Sequence, residues 1–132
     1  GEFMGSFNPR ISGFWTARMG NSFVGSIAID GETFHTDGAR LRWFIVQPDH
    51  SGKNLGKQLL AAAMEFCSSA GHNKVFLWTF RGLQCARSLY ERIGFRLVEE
   101  REVAQWGGII FEQKFELITG NMNLEVLIDN TV

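Results

Sequence analysis

Seven residues between an apolar run and a helix-forming stretch carry the plainest chemistry in this chain. Ser51-Gly52-Lys53-Asn54-Leu55-Gly56-Lys57 follows Leu41-Arg42-Trp43-Phe44-Ile45-Val46 and the break Gln47-Pro48-Asp49-His50, and it precedes Gln58 to Phe66. The apolar run is rich in β-branched and aromatic residues, so it reads as a strand. Proline cannot donate to a ladder and biases Gln47 toward an extended conformation. The stretch after the loop is strongly helix-forming. A glycine-bearing loop at a helix start aims several backbone N–H groups at one spot, with the positive end of the helix dipole behind them. Phosphate is the natural guest.

Spacing excludes one phosphate-binding device. The pattern G-x-x-x-x-G-K-[ST] needs its hydroxyl for magnesium, but Gly52 and Gly56 are one residue too close and Gln58 stands at the hydroxyl position. Other reactive side chains are scattered. His35, His50 and His72 lie in loops far apart with no ligand spacing, which reads as surface histidines and no metal. Cys67 and Cys85 fall in predicted helices and read as reduced core thiols of a cytosolic protein. Glu99 and Glu100, with Glu112 opposite, are candidate bases or substrate cation-binding groups, against the plainer reading of a solvated hairpin face. Tyr90 is the only tyrosine, on an apolar helix stripe where core packing is the ordinary role.

Composition narrows the class. The chain has 132 residues, enough for one domain with a core and too few for two. Hydrophobic residues make up 45% and charged residues 20%, which is globular composition. A net charge of −1 gives no electrostatic reason to expect nucleic acid or an anionic membrane. No apolar run approaches transmembrane length and no signal peptide is visible, so a cytoplasmic protein is expected. Gly1-Glu2-Phe3 ahead of Met4 reads as a cloning remnant, residues 4–118 as the domain and 119–132 as a tail.

The elements that must position the loop follow in order. Phe14 to Met19 and Ser22 to Ile29 read as strands joined at Gly20-Asn21. The strand Leu41 to Val46 completes an antiparallel meander and enters the loop. The following helix runs to about Ala70, with Gly71 as its cap. Lys74 to Phe80 is nearly all apolar, fit for a strand buried on both faces, and should pair parallel to Leu41–Val46 by a right-handed crossover. Gly82 to Ile93 is a second helix stopped by Gly94, with Leu83, Ala86, Leu89, Tyr90 and Ile93 as its buried stripe. Phe95 to Ala104 and Ile109 to Ile118 form a long hairpin, and Leu124 to Ile128 reads as a short strand in the tail. The class is α/β (α+β), a mixed, mostly antiparallel twisted sheet of order βββ-α-β-α-ββ.

Two motifs in this order resemble the GNAT (N-acetyltransferase) superfamily. Ser51-Gly52-Lys53-Asn54-Leu55-Gly56 is similar to its pyrophosphate loop [QR]-x-x-G-x-[GA], with Ser51 in place of Arg or Gln and Asn54 in place of Gly. Asn tolerates left-handed backbone angles better than most residues, so Asn54 can occupy the turn. Ala86 through Phe95 resembles A-x-x-L-Y-E-x-x-G-F. The likeness extends to acetyltransferase domains fused to bacterial winged-helix regulators, at Trp15-Thr16-Ala17, Val24-Gly25-Ser26-Ile27, Leu77-Trp78-Thr79 and Gly94 to Glu100. Where those domains carry histidine before the last hairpin turn, this chain has Val103 and Ala104. The family's first strand and first helices have no counterpart here, so the domain reads as N-terminally shortened.

The resemblance implies an acetyl-CoA-dependent N-acetyltransferase acting on a primary amine of a small molecule or protein. It implies that backbone groups of Ile45 and Val46 pair with the pantetheine arm. Backbone N–H groups across Ser51, Gly52, Lys53, Asn54, Leu55, Gly56 and Lys57 would take the pyrophosphate. Tyr90 would be the general acid, since a phenol stays protonated at neutral pH. The other reading it leaves open is a non-catalytic or partner-dependent acyl-CoA-binding module. The strand edge bared by the missing elements invites pairing into a homodimer.

Overall fold

In a computed structural model, residues 8–33, 35–47, 54–81, 84–105 and 107–128 are described. Strands β1 (Gly13–Met19), β2 (Ser22–Asp30) and β3 (Ala39–Val46) form the expected antiparallel meander. Helix α1 (Leu55–Ser69) crosses to β4 (Lys74–Phe80), which lies parallel to β3. Helix α2 (Gln84–Ile93) leads to the hairpin β5 (Arg96–Gln105) and β6 (Gly108–Ile118). The sheet order is β1-β2-β3-β4-β6-β5, so β3/β4 is its parallel pair and the other neighbours are antiparallel.

Successive right-handed crossovers that step the same way across a sheet leave their helices on one face. Accordingly Leu60, Met64 and Cys67 of α1 share a core with Tyr90 and Ile93 of α2 and with Ile27, Ile29, Val75, Leu77, Phe115 and Leu117 of the sheet. Val75, Phe76 and Leu77 are buried in succession, as expected for a strand covered on both sides.

Both long helices end alike. After α1, Gly71 at φ 85° lets its N–H bond Ser68 O and the N–H of His72 bond Cys67 O. After α2, Gly94 at φ 122° lets its N–H bond Glu91 O and that of Phe95 bond Tyr90 O. These paired bonds are the Schellman closure, which needs a left-handed residue that glycine supplies without a Cβ clash.

Two expectations are corrected. The tail residues Leu124 to Ile128 do not form a strand. A short helix α3 (Glu125–Ile128) stands there, preceded by a 3-10 turn (Thr119–Asn121). Asn123 Oδ1 accepts the Glu125 N–H at 3.1 Å, a cap that starts a helix. Leu127 buries into the core between the long helices, a helical burial that a five-residue apolar run does not distinguish from a strand. His72 is not a surface histidine: it is 2% exposed, with Nε2 2.9 Å from the Ile11 carbonyl oxygen and its ring against Phe66. Its position directly after the cap glycine packs it back onto the last helical turn. His35 is exposed, and His50 lies outside the described residues. Cys67 is a buried free thiol, whereas the Cys85 side chain is not among those described.

Candidate active site

The parallel pair β3/β4 is closed for only two rungs, Ala39↔Val75 and Arg40↔Phe76. Beyond them the strands part into a fork. The cause sits on the other side of β3: Ser26 pairs with Ile45 and Ala28 with Arg42, so Trp43 and Phe44 together oppose Ile27. This is a β-bulge, which bends and twists its strand. Trp43 occupies φ 52°, a left-handed angle that a bulky residue rarely adopts. The Ser26 hydroxyl donates to the Trp43 carbonyl at 2.8 Å and pins the bulge.

The bulge inverts the alternation of β3. Leu41 faces the helices and Arg42 the opposite face, but after the extra residue it is Phe44 and Val46 that turn toward the helices. The Gln47 N–H bonds Val24 O at 2.9 Å. Backbone groups alternate in direction along a strand, so Ile45 spends its own on β2 while Val46 aims its N–H and C=O into the fork. An extended ligand strand finds its hydrogen-bond partners there.

Helix α1 starts beside this strand. Asn54 caps it at φ 60°, ψ 9°, the left-handed turn expected of Asn in place of Gly. A Cβ on Gly56 would lie 3.5 Å from the Phe44 ring and 3.7 Å from Val46, so the first turn rests on the fork strand. Leu55, Gly56 and Lys57 are the first-turn residues, whose N–H groups have no partner within the helix itself and favour an anion. Ser51, Gly52 and Lys53 lie outside the described residues.

Tyr90 reaches the same place from α2. Its ring is 6.2 Å from that of Phe44 and 5.6 Å from that of Phe95, and the residue is 6% exposed. Burial pushes its phenol well above the ordinary value, so Tyr90 holds its proton throughout the neutral range. The structure thus joins the fork strand, the helix start and the single tyrosine through one residue, Phe44.

Glu99 and Glu100 are not brought together. Glu99 lies across from Lys114, and Glu100 across from Gln113 on the other face. Glu100 accepts from Arg81 at 2.7 and 3.1 Å and from Gln113 at 2.8 Å. The Arg81 hydrogen bonds, then Gln113, hold its carboxyl below the ordinary range, which makes it a poor base at neutral pH. Sequence reasoning did not find Ser26, Phe44 or the Arg81–Glu100–Gln113 network. In Leu41–Val46 both alternating sets are largely apolar, so no break in phase marks the bulge. Among the described residues no three His, Cys, Asp or Glu side chains converge on a metal-sized site. None of the described helices is long and apolar enough to cross a membrane.

The model of the acetyltransferase (GNAT) family matches residues 4–95. The chain belongs to the GNAT acetyltransferase family. This GNAT chain is 30% identical over 83 residues to the Xenopus tropicalis protein named "Probable N-acetyltransferase camello", covering 63% of this chain and 38% of that one. It spans less than half the length of the curated relatives it matches. Its fold is similar to an acetyltransferase from Streptococcus agalactiae, with TM-score 0.72 at 22% identity over 89% of this chain and 73% of that one. It is also similar to a GNAT family acetyltransferase from Elizabethkingia anophelis with acetyl-CoA bound, with TM-score 0.67 at 15% identity over 89% and 82% of the two chains. The six-stranded, mostly antiparallel sheet is thus the fold of these acetyltransferases.

Proposed function

We propose that this GNAT domain transfers an acetyl group from acetyl-CoA to a primary amine, with Tyr90 as the proton donor. The observation that carries the reading is the packing of Tyr90 on Phe44, beside a strand that forks away from its neighbour. In this reading the pantetheine arm lies along β3 at Ile45 and Val46, using the fork-facing backbone of Val46. The pyrophosphate takes the N–H groups from Ser51 to Lys57, a loop outside the described residues up to Lys53. The neutral amine attacks the thioester carbonyl, the C–S bond breaks, and the departing thiolate takes the Tyr90 proton. The proton shed by the new amide nitrogen passes to solvent, from which the phenol is reprotonated. The phenol keeps its proton at neutral pH, so a proton is present for the thiolate to take.

Calorimetric titration with acetyl-CoA against free CoA tests the first half of this reading, and thiol release with a panel of amines tests the second. Saturable binding followed by amine-dependent thiol release is expected. Absence of binding at millimolar acetyl-CoA would overturn the reading.

A further inference from the structure

The bulge in β3 opens the fork and also decides which side chains stand at its mouth. On β4, Val75 and Leu77 pack into the core, so Phe76, Trp78 and Phe80 alternate onto the face away from the helices. The last closed rung pairs Arg40 with Phe76, and two residues on Arg42 is level with Trp78 on that same face. A regular strand would next bring Phe44 level with Phe80. The extra residue at Trp43 brings Ile45 there instead, because Phe44 and Val46 turn toward the helices. Ile45 thus flanks the fork on one bank and Phe80 on the other, both facing away from the helices. They are 53% and 42% exposed, large apolar side chains left in water beside an open seam.

The charges named on this face are taken up by one another. Asp30 holds Arg42 at 3.4 Å, and Arg42 lies over the Trp43 ring at 4.9 Å. Glu112, across from Phe80, takes Arg101 at 2.8 Å, and Arg101 covers Trp78 at 4.2 Å. Glu116 is shared by Lys114 and Lys74 at 3.6 and 3.7 Å. Trp43 meets Phe14 edge to face at 6.2 Å, which extends the apolar bank from Ile45 across β2. The helix side of the fork is filled by Phe44, Tyr90 and the first turn of α1. An acceptor therefore reaches the fork from the other face, between Ile45 and Phe80.

We infer that Ile45 and Phe80 select an apolar primary amine, one whose amino group is carried on an aryl or alkyl body. The inference rests on the acetyl-transfer reading above and adds to it the acceptor class. The body lies on Ile45 and Phe80 and shields them from water, while the amino group passes between them into the fork. An ammonium loses hydration in such a mouth, which lowers its pKa and favours the neutral form that attacks. A carboxylate or second ammonium beside the amino group would lose its water there with no charge set aside to replace it.

The test measures thiol release from acetyl-CoA with phenethylamine, glycine and ethanolamine as acceptors. Phenethylamine should exceed both in kcat/KM by about tenfold or more, the scale on which apolar contacts discriminate. Phe80→Ser should shrink that ratio by raising KM for phenethylamine, and Phe80→Leu, which stays apolar, should keep it. Equal use of the three amines, or a ratio that survives Phe80→Ser, would overturn the inference and leave acetyl transfer standing. If no amine turns over, the Ile45 δ1-methyl signal in NMR decides, titrated with phenethylamine in the presence and absence of CoA. A saturable shift there, with the exposed methyls of Ile109 and Ile118 unmoved, supports the assignment. No shift at Ile45, or equal shifts at all three, refutes it. A dimer that Phe80→Ser dissociates would show the mouth covered by a second copy, and that too refutes it. Failure to bind acetyl-CoA would count against the transfer reading alone, since the methyl titration without CoA still reports on the mouth.

Discussion

Phe95 donates its backbone N–H to the Tyr90 carbonyl at 3.0 Å while their rings meet edge to face at 5.6 Å. The two contacts are one device. The hydrogen bond is the outer bond of the Schellman closure, and the ring contact is the apolar pair that accompanies it. The Tyr and Gly-Phe of the helix motif therefore have a local physical meaning: Gly94 makes the turn, and Phe95 clamps the ring of Tyr90 toward the fork.

Replacing Gly94 by Ala should release that clamp. A Cβ there meets Leu117 Cδ1 at 2.7 Å, on a backbone at φ 122°. Strain and crowding together should cost about 1–3 kcal/mol. The same change at Gly71, at φ 85° with nothing near its Cβ position, should cost only the backbone part, about 1 kcal/mol. Urea denaturation of the two variants checks this, and equal losses would show that Leu117 gives way freely.

Tyr90 can be watched alone because it is the only tyrosine in the chain. Its folded pKa lies above the unfolded value of about 10. The neutral phenol thus contributes stability that is present below pH ~10 and lost as pH rises toward the folded value. Absorbance at the phenolate band should stay flat through pH ~10 and then rise together with loss of the near-ultraviolet dichroism. Ionisation at the ordinary value in a still-folded protein would mean the hydroxyl is hydrated, and not desolvated as its burial indicates.

The order of elements was legible because each strand and helix has its own period and its own stop. Gly71 and Gly94 end their helices where the sequence puts them, and Lys74 to Phe80 is a strand at the bounds its apolar run predicts. Asn54 shows its left-handed turn for a local reason that the residue type carries. What was hidden depends on partners far along the chain. The bulge at Trp43 is held by Ser26, 17 residues earlier, and the burial of His72 depends on Ile11. Glu100 is exposed, as the reading of a solvated hairpin face has it, but its bonds from Arg81 and Gln113 come from residues far along the chain. Leu124 to Ile128 is too short for its period to speak, and Asn123 decides it as a cap.

Ser26→Ala tests whether the bulge is pinned. Removing the hydroxyl removes the Ser26 hydrogen bond to the Trp43 carbonyl, at a cost of about 1–2 kcal/mol. Thr16, opposite Ser26 on the exposed edge strand, is the control, and Thr16→Ala should stay within about 0.5 kcal/mol of the parent. If the bulge sets the direction of Val46, Ser26→Ala should also weaken acetyl-CoA beyond what its stability loss explains. Unchanged affinity in the titration would mean that the fork persists without this hydrogen bond.

The last prediction separates the two roles of Tyr90. Tyr90→Phe keeps the ring that packs on Phe44 and Phe95 and removes only the hydroxyl. It should leave stability and acetyl-CoA affinity nearly intact while cutting kcat by about 10²-fold or more, the usual contribution of a positioned acid. Tyr90→Ala should lose about 3–5 kcal/mol of stability as well, because an aromatic ring leaves the core. A Tyr90→Phe protein with full kcat, under conditions where chemistry limits the rate, would reduce Tyr90 to a packing residue. The proton for the departing thiolate would then have to come from water reaching the fork, and the buried, strongly protonated phenol beside Phe44 would need another explanation.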